Sequence, residues 1–159
     1  MGDLMKWNKT IWLILLVAAL LSGCGNSDPV LLSLPDYQHK AFYTEGEFQD
    51  YTDYGTYTYP DFDETILMQN PYFQKVTNAE DILPYIENFE GWVDLCPEDS
   101  ELAVNYDFDA ECIDEQDYAY IDSKEGDPIG SGTYGKFDNY DVYFFDTDTW
   151  TLYYFHSNI

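Results

Sequence analysis

Apolar residues at Ile82, Ile86, Phe89 and Val93 recur at the spacing of one helix face. Ahead of them Thr77-Asn78-Ala79-Glu80 has the form of a capping box, in which Thr77 and Glu80 would satisfy each other's orphan backbone donors. Pro84 interrupts the pattern and fits the first turn of a second helical piece running to about Leu95, with Pro97 as a stop. Beyond Pro97 the pattern changes to strands. Residues 102–108 alternate, 118–121 form a short apolar run, and 138–146 and 150–156 are β-branched and aromatic runs joined by an Asp146-Thr147-Asp148-Thr149 turn. The pattern predicts an α+β domain, with one or two helices packed on an antiparallel sheet of about four strands in the C-terminal half. The helix would place Ile82, Ile86, Phe89 and Val93 on a sheet containing Val142, Phe144, Leu152 and Tyr154.

The stretch from Phe42 to Tyr59 is crowded with aromatics and reads two ways. Phe48, Tyr51, Tyr54 and Tyr57 are three residues apart, as on one side of a helix, whereas Gly55 and Tyr57-Thr58-Tyr59 belong to a strand. The spacing is taken as a helical turn that frays before Pro60. Residues 24–40 show little periodicity and read as a tether.

At the N-terminus Lys6 and Lys9 precede the unbroken apolar run 11–21, which gives way to Ser22-Gly23-Cys24. A basic start, a short apolar centre and small residues at the break make a secretory signal. The run is shorter than the roughly 20 residues a membrane span needs. Leu21-Ser22-Gly23-Cys24 resembles the lipobox of bacterial lipoproteins. That resemblance implies a diacylglycerol thioether on Cys24 and cleavage that makes Cys24 the mature N-terminus, and two acyl chains suffice for stable anchoring. Myristoylation at Gly2 fails, because Lys6 stands where Ser or Thr is wanted. The organisation expected is a lipoprotein signal peptide over 1–23, a lipidated N-terminus and tether over 24–40, and one domain over 41–159, on the extracytoplasmic face of a cell membrane. Asn70-Pro71-Tyr72-Phe73, Phe89-Glu90-Gly91-Trp92, Tyr106-Asp107-Phe108-Asp109 and the runs 140–147 and 152–159 resemble small lipoproteins of Gram-positive anaerobes. That resemblance implies no activity.

Charge narrows the partners. The 159 residues carry six lysines, no arginine and 31 acids, for a net charge of -25. Such a field repels phosphate backbones and anionic lipid head groups, so no nucleic-acid role is expected and a charged partner should be cationic. With 45% hydrophobic and 19% aromatic residues the chain still has the means to fold.

Candidate chemistry is sparse. Asp107, Asp109 and Glu111 in the acidic run 107–117 are the weak metal candidates, with Ca²⁺ as the ion. An EF-hand loop starting at Asp107 would need Gly where Cys112 stands and Glu where Tyr118 stands, so the run reads foremost as a solvated acidic turn. Two histidines, His39 and His156, cannot build a three-histidine zinc site, there is no Gly-x-Ser-x-Gly elbow, and no carboxylate pair is singled out, so no catalytic residue is assigned. Once Cys24 is lipidated, Cys96 and Cys112 remain. A disulfide between them would contribute roughly 3 kcal/mol. The intervening strand would span about 23 Å, so its flanks would have to fold back to bring the pair together. Tyr51, Tyr54, Tyr57 and Tyr59 are the candidate binding surface, because tyrosines are efficient contact residues. Two functions are carried forward: a non-enzymatic, membrane-anchored domain binding a protein, peptide or cell-wall ligand, and an envelope-acting hydrolase or metal-dependent enzyme with a carboxylate site. A pocket with two or more convergent carboxylates of raised pKa would favour the enzyme.

Overall fold

The computed structural model describes residues 28–47 and 50–158, so the signal segment, Cys24 and Phe48 lie outside the described residues. The chain divides into two units, Met1–Pro35 and Asp36–Ile159. The described part of the first holds a single-turn helix, α1 (Pro29–Leu32), capped by Asp28, whose Oδ1 accepts the amides of Val30 at 2.8 Å and Leu31 at 3.3 Å. Proline in the first turn costs nothing there, since its missing N–H would be an orphan anyway.

The second unit opens with two nine-residue strands, β1 (His39–Glu47) and β2 (Asp50–Thr58), paired antiparallel from His39↔Thr58 to Glu47↔Asp50. β1 therefore begins inside the stretch read as tether. Where the helical turn through Tyr51, Tyr54 and Tyr57 is expected, the described residues form β2. Glycine is costly within a helix while Thr and Tyr suit a pleated surface, and β2 gains a partner on each side, β1 and a C-terminal strand. Three-residue spacing in a strand sends successive side chains to opposite faces, so the tyrosines that looked like one stripe are divided.

After β2 come the short helix α2 (Thr65–Gln69), the two-residue strand β3 (Gln74–Lys75), a 3-10 turn (Ala79–Asp81) and α3 (Leu83–Val93). The expected capping box is shifted by one residue. Asn78, not Thr77, occupies the cap, and its Oδ1 accepts the Glu80 amide at 3.1 Å. Pro84 sits in the first turn of α3, and Ile86 and Phe89 are fully buried. Residues 102–108, expected as a strand, open with a helix, α4 (Glu101–Asn105), because Ser100 Oγ caps it by accepting the Ala103 amide at 3.1 Å. A second 3-10 turn (Ala110–Cys112) leads to β4 (Tyr118–Ser123), a small hairpin of β5 (Pro128–Ile129) and β6 (Gly132–Thr133), then β7 (Asn139–Asp146) and β8 (Thr151–Asn158).

Among the described residues the fold is α+β around a six-stranded antiparallel sheet ordered β1-β2-β8-β7-β4-β3. Its centre is the β7–β8 hairpin expected from the sequence, and three of its strands come from the N-terminal half. The register Asp146↔Thr151 is set by the turn between them. Asp146 Oδ1 accepts the Asp148 and Thr149 amides, and Trp150 closes the turn at φ 52°. One sheet face presents Tyr54, Tyr140, Val142, Phe144 and Phe155 to Ile82, Ile86 and Phe89 of the helical layer and to Leu102 of α4. The sheet expected under the helix contains Val142, Phe144, Leu152 and Tyr154, and in this register Val142 and Phe144 face the helix while Leu152 and Tyr154 lie opposite Phe145 and Tyr143 on the other face.

Candidate functional site on the second face of the sheet

Alternation along the strands and the pairing across them place two adjacent rows on the face turned away from α3. One row is aromatic. Phe42 on β1 is opposite Gly55 on β2, then come Tyr154 on β8, Tyr143 on β7, Tyr120 on β4 and Tyr72 before β3. Ring centroids follow one another at 6.2 Å from Phe42 to Tyr154, 4.8 Å to Tyr143, 5.9 Å to Tyr120 and 5.3 Å to Tyr72. Gly55 provides the gap over which Phe42 reaches Tyr154. Phe42 is 39% exposed, Tyr154, Tyr120 and Tyr72 are half-buried, and Tyr143 is buried among them.

The second row is polar: Thr44, Asp53, His156, Asp141 and Asp122 stand in register across five strands. Asp141 Oδ1 meets His156 Nδ1 at 2.9 Å and accepts the Tyr154 hydroxyl at 2.7 Å. Burial raises the Asp141 carboxyl, but the bonds from His156 and Tyr154 outweigh it and hold it below the ordinary carboxylate value. The Tyr154 hydroxyl is pushed far upward by burial and by the Asp141 charge. On the other side of His156 burial raises the Asp53 carboxyl, against a hydrogen bond from Thr44. Tyr51 covers the imidazole with ring centroids 4.8 Å apart, and Asp53 Oδ1 and His156 Nε2 are buried without hydrogen-bond partners among the described residues. Asp122 is tied to Lys124 Nζ at 2.7 Å.

Cavities of about 350 and 360 Å³ lie elsewhere, one beside β3 and β4 and the other beside β1 and the end of α3, and neither is lined by Asp53, Asp141 or His156. Only one of the two carboxyls flanking His156 is raised. A second raised carboxyl, that of Asp117, serves the fold, because its oxygens accept the amides of Asp114 at 3.0 Å and Thr147 at 2.8 Å and so fasten the β7–β8 turn.

The residues expected from the sequence are dispersed. Tyr54, Tyr57 and Tyr59 are buried at 0%, 2% and 3% exposure and cannot form a binding surface as they stand. Tyr54 packs on Phe89 and Phe155 and donates to Asp107 at 2.7 Å, Tyr57 meets Tyr37, and Tyr59 meets Phe62 and Phe145. Tyr51 alone of the four stays partly exposed. Asp107 is occupied by Tyr54, and Asp109 caps the second 3-10 turn by accepting the Glu111 amide at 2.9 Å, leaving Glu111 exposed. Among the described residues no three histidine, cysteine or acidic side chains gather as a metal site. Cys96 and Cys112 are free thiols, not a disulfide. They belong to separate segments, Cys96 Sγ donating to the Trp92 carbonyl at 3.3 Å, and burial with nearby acids pushes the Cys112 thiol up to about 12. His156 does sit near a strand end with a hydrogen-bond partner, as its place in the sequence implies. The alternation of Asp141, Tyr143 and Phe145 marks one face, but joining it to Asp53 and Phe42 requires the register of β2 on β8.

No family model, curated protein or solved structure matches this chain.

Proposed function

We propose that the chain is a lipid-anchored extracytoplasmic lipoprotein, anchored through Cys24, whose folded domain is a non-enzymatic binding domain. The observation that carries this reading is the row of rings from Phe42 to Tyr72 beside the row of carboxylates from Asp53 to Asp122. Its exposed and half-buried members, Phe42, Tyr120, Tyr72 and Asp122, make an aromatic and acidic patch, and the raised Asp53 beside the lowered Asp141 does not make a pair of raised acids. Rings already held in place by their neighbours lose little freedom on contact, so they supply short-range binding energy at low entropic cost. The net charge of -25 adds attraction for a cationic protein, peptide or cell-wall ligand.

Two measurements test this. Radiolabelled palmitate should enter the wild-type chain and not Cys24→Ser; label in the mutant defeats the anchor. The full chain should capture an envelope component whose recovery falls as salt is raised and falls again in Phe42→Ala or Tyr72→Ala, both at partly exposed ends of the row. Capture indifferent to salt and to both substitutions shows that this face is not the binding surface.

A further inference from the structure

We propose that the outer edge of β4 binds an extended peptide as an added strand, and that the peptide alternates apolar and basic residues. This rests on the reading of the domain as a binding domain and names a partner class for it. β4 runs from Tyr118 to Ser123 and pairs with β7 along its whole length, whereas on its other side β3 pairs only with Tyr118 and Ala119. The Asp117 carbonyl accepts the Val76 amide on the β3 side, and the Lys124 amide donates to Asn139 on the β7 side. Main-chain groups alternate between the two edges of a strand, so those of Ala119, Ile121 and Ser123 face outward. Among the described residues Ile121 and Ser123 have no strand partner there. Such an edge is a template for another chain.

The cavity of about 350 Å³ lies along this edge. Val76, Ile82, Ala119 and Ile121 supply the apolar part of a lining whose other part is polar, with Lys75 and Asp81 opposite in charge, and Tyr72 and Tyr120 also line it. Side chains of an added strand point alternately to the two sheet faces. Those on the cavity side meet Val76 and Ile82 and should be apolar. Those on the other side meet Tyr72 and Tyr120, whose faces a lysine or arginine can cover, and Asp122, whose carboxylate it would share with Lys124. A second copy of this chain is the poorer occupant, because two bodies of charge -25 repel each other along a shared edge.

The probe is an eight-residue peptide of alternating valine and lysine, titrated against the full chain, with valine–glutamate as the control. The valine–lysine peptide should bind saturably and slow hydrogen exchange at the Ile121 and Ser123 amides, and the control should bind at least about tenfold more weakly. Two further versions carry N-methyl groups on every valine amide or on every lysine amide. Only one of these sets faces β4, so one version should lose about tenfold or more and the other should stay within about twofold. Equal binding of both methylated versions, or exchange at Ile121 and Ser123 unchanged, overturns strand addition while leaving the domain a peptide binder. No binding of the valine–lysine peptide also overturns it, and the aromatic face then stands or falls on its own capture experiment.

Discussion

The ring of Phe42 lies against the backbone of Gly55 on the neighbouring strand: a Cβ at residue 55 would come 3.0 Å from Phe42 Cδ2 and 3.2 Å from Tyr57 Cε2. The glycine lets one aromatic ring cross to the next, since Phe42 reaches Tyr154 over it with planes 16° apart. Gly55→Ala should therefore cost about 1–3 kcal/mol through overpacking, despite alanine's smaller backbone entropy. In a Phe42→Ala background the same change should cost less, because only the contact with Tyr57 remains. Urea midpoints for the four proteins of this cycle measure the coupling, and additive losses would show that Phe42 yields without cost.

Ile86 is fully buried between α3 and the sheet. Ile86→Ala leaves a cavity that this packing cannot close, and should cost about 2–5 kcal/mol. An unchanged denaturation midpoint would place that helix face in solvent.

Tyr54 is a core residue whose hydroxyl is held by Asp107. Tyr54→Ala should lose about 3–5 kcal/mol, as for other large buried rings, while Tyr54→Phe should lose about 1–2 kcal/mol with the hydrogen bond. If Tyr54→Ala left stability intact and altered only ligand dissociation, the ring would belong to a binding surface after all.

The acids around His156 have opposite effects on stability. Asp141 is held below the ordinary value, so its contribution is fully present above its unfolded pKa of about 3.9 and is lost as pH falls through the lower folded value. Tyr154→Phe and Asp141→Asn should flatten that acid limb. Asp53 is raised, so ionising it penalises the folded state, beginning above the unfolded pKa and complete above the folded one. Asp53→Asn should then gain stability at neutral pH and not at pH 3. Stability curves from urea titration at several pH values check both signs, and identical curves for all variants would show that the row is not coupled to folding.

Much of the fold was legible from local pattern. Ile82, Ile86 and Phe89 mark a helix by spacing, Pro84 marks its first turn, and the acidic turn at 146–149 joins two aromatic runs into the hairpin that became the centre of the sheet. These features depend on chemistry within a few residues of one another. Some of the departures were local too: Asn78 displaced Thr77 as the cap, and Ser100 turned an alternating run into α4. The sequence also determined the acid surplus and the lipobox-like Leu21-Ser22-Gly23-Cys24, which need no fold to be read. Tertiary structure decided the rest. The stretch 50–58 is a strand because β1 and β8 supply partners on both edges, and Cys96 before α4 and Cys112 in the second 3-10 turn are free thiols. The rows from Phe42 to Tyr72 and from Asp53 to Asp122 exist only in the register of five strands. Side chains alternate with a period of two, so a one-residue slip of β2 on β8 would send Asp53 to the opposite face and leave His156 without it.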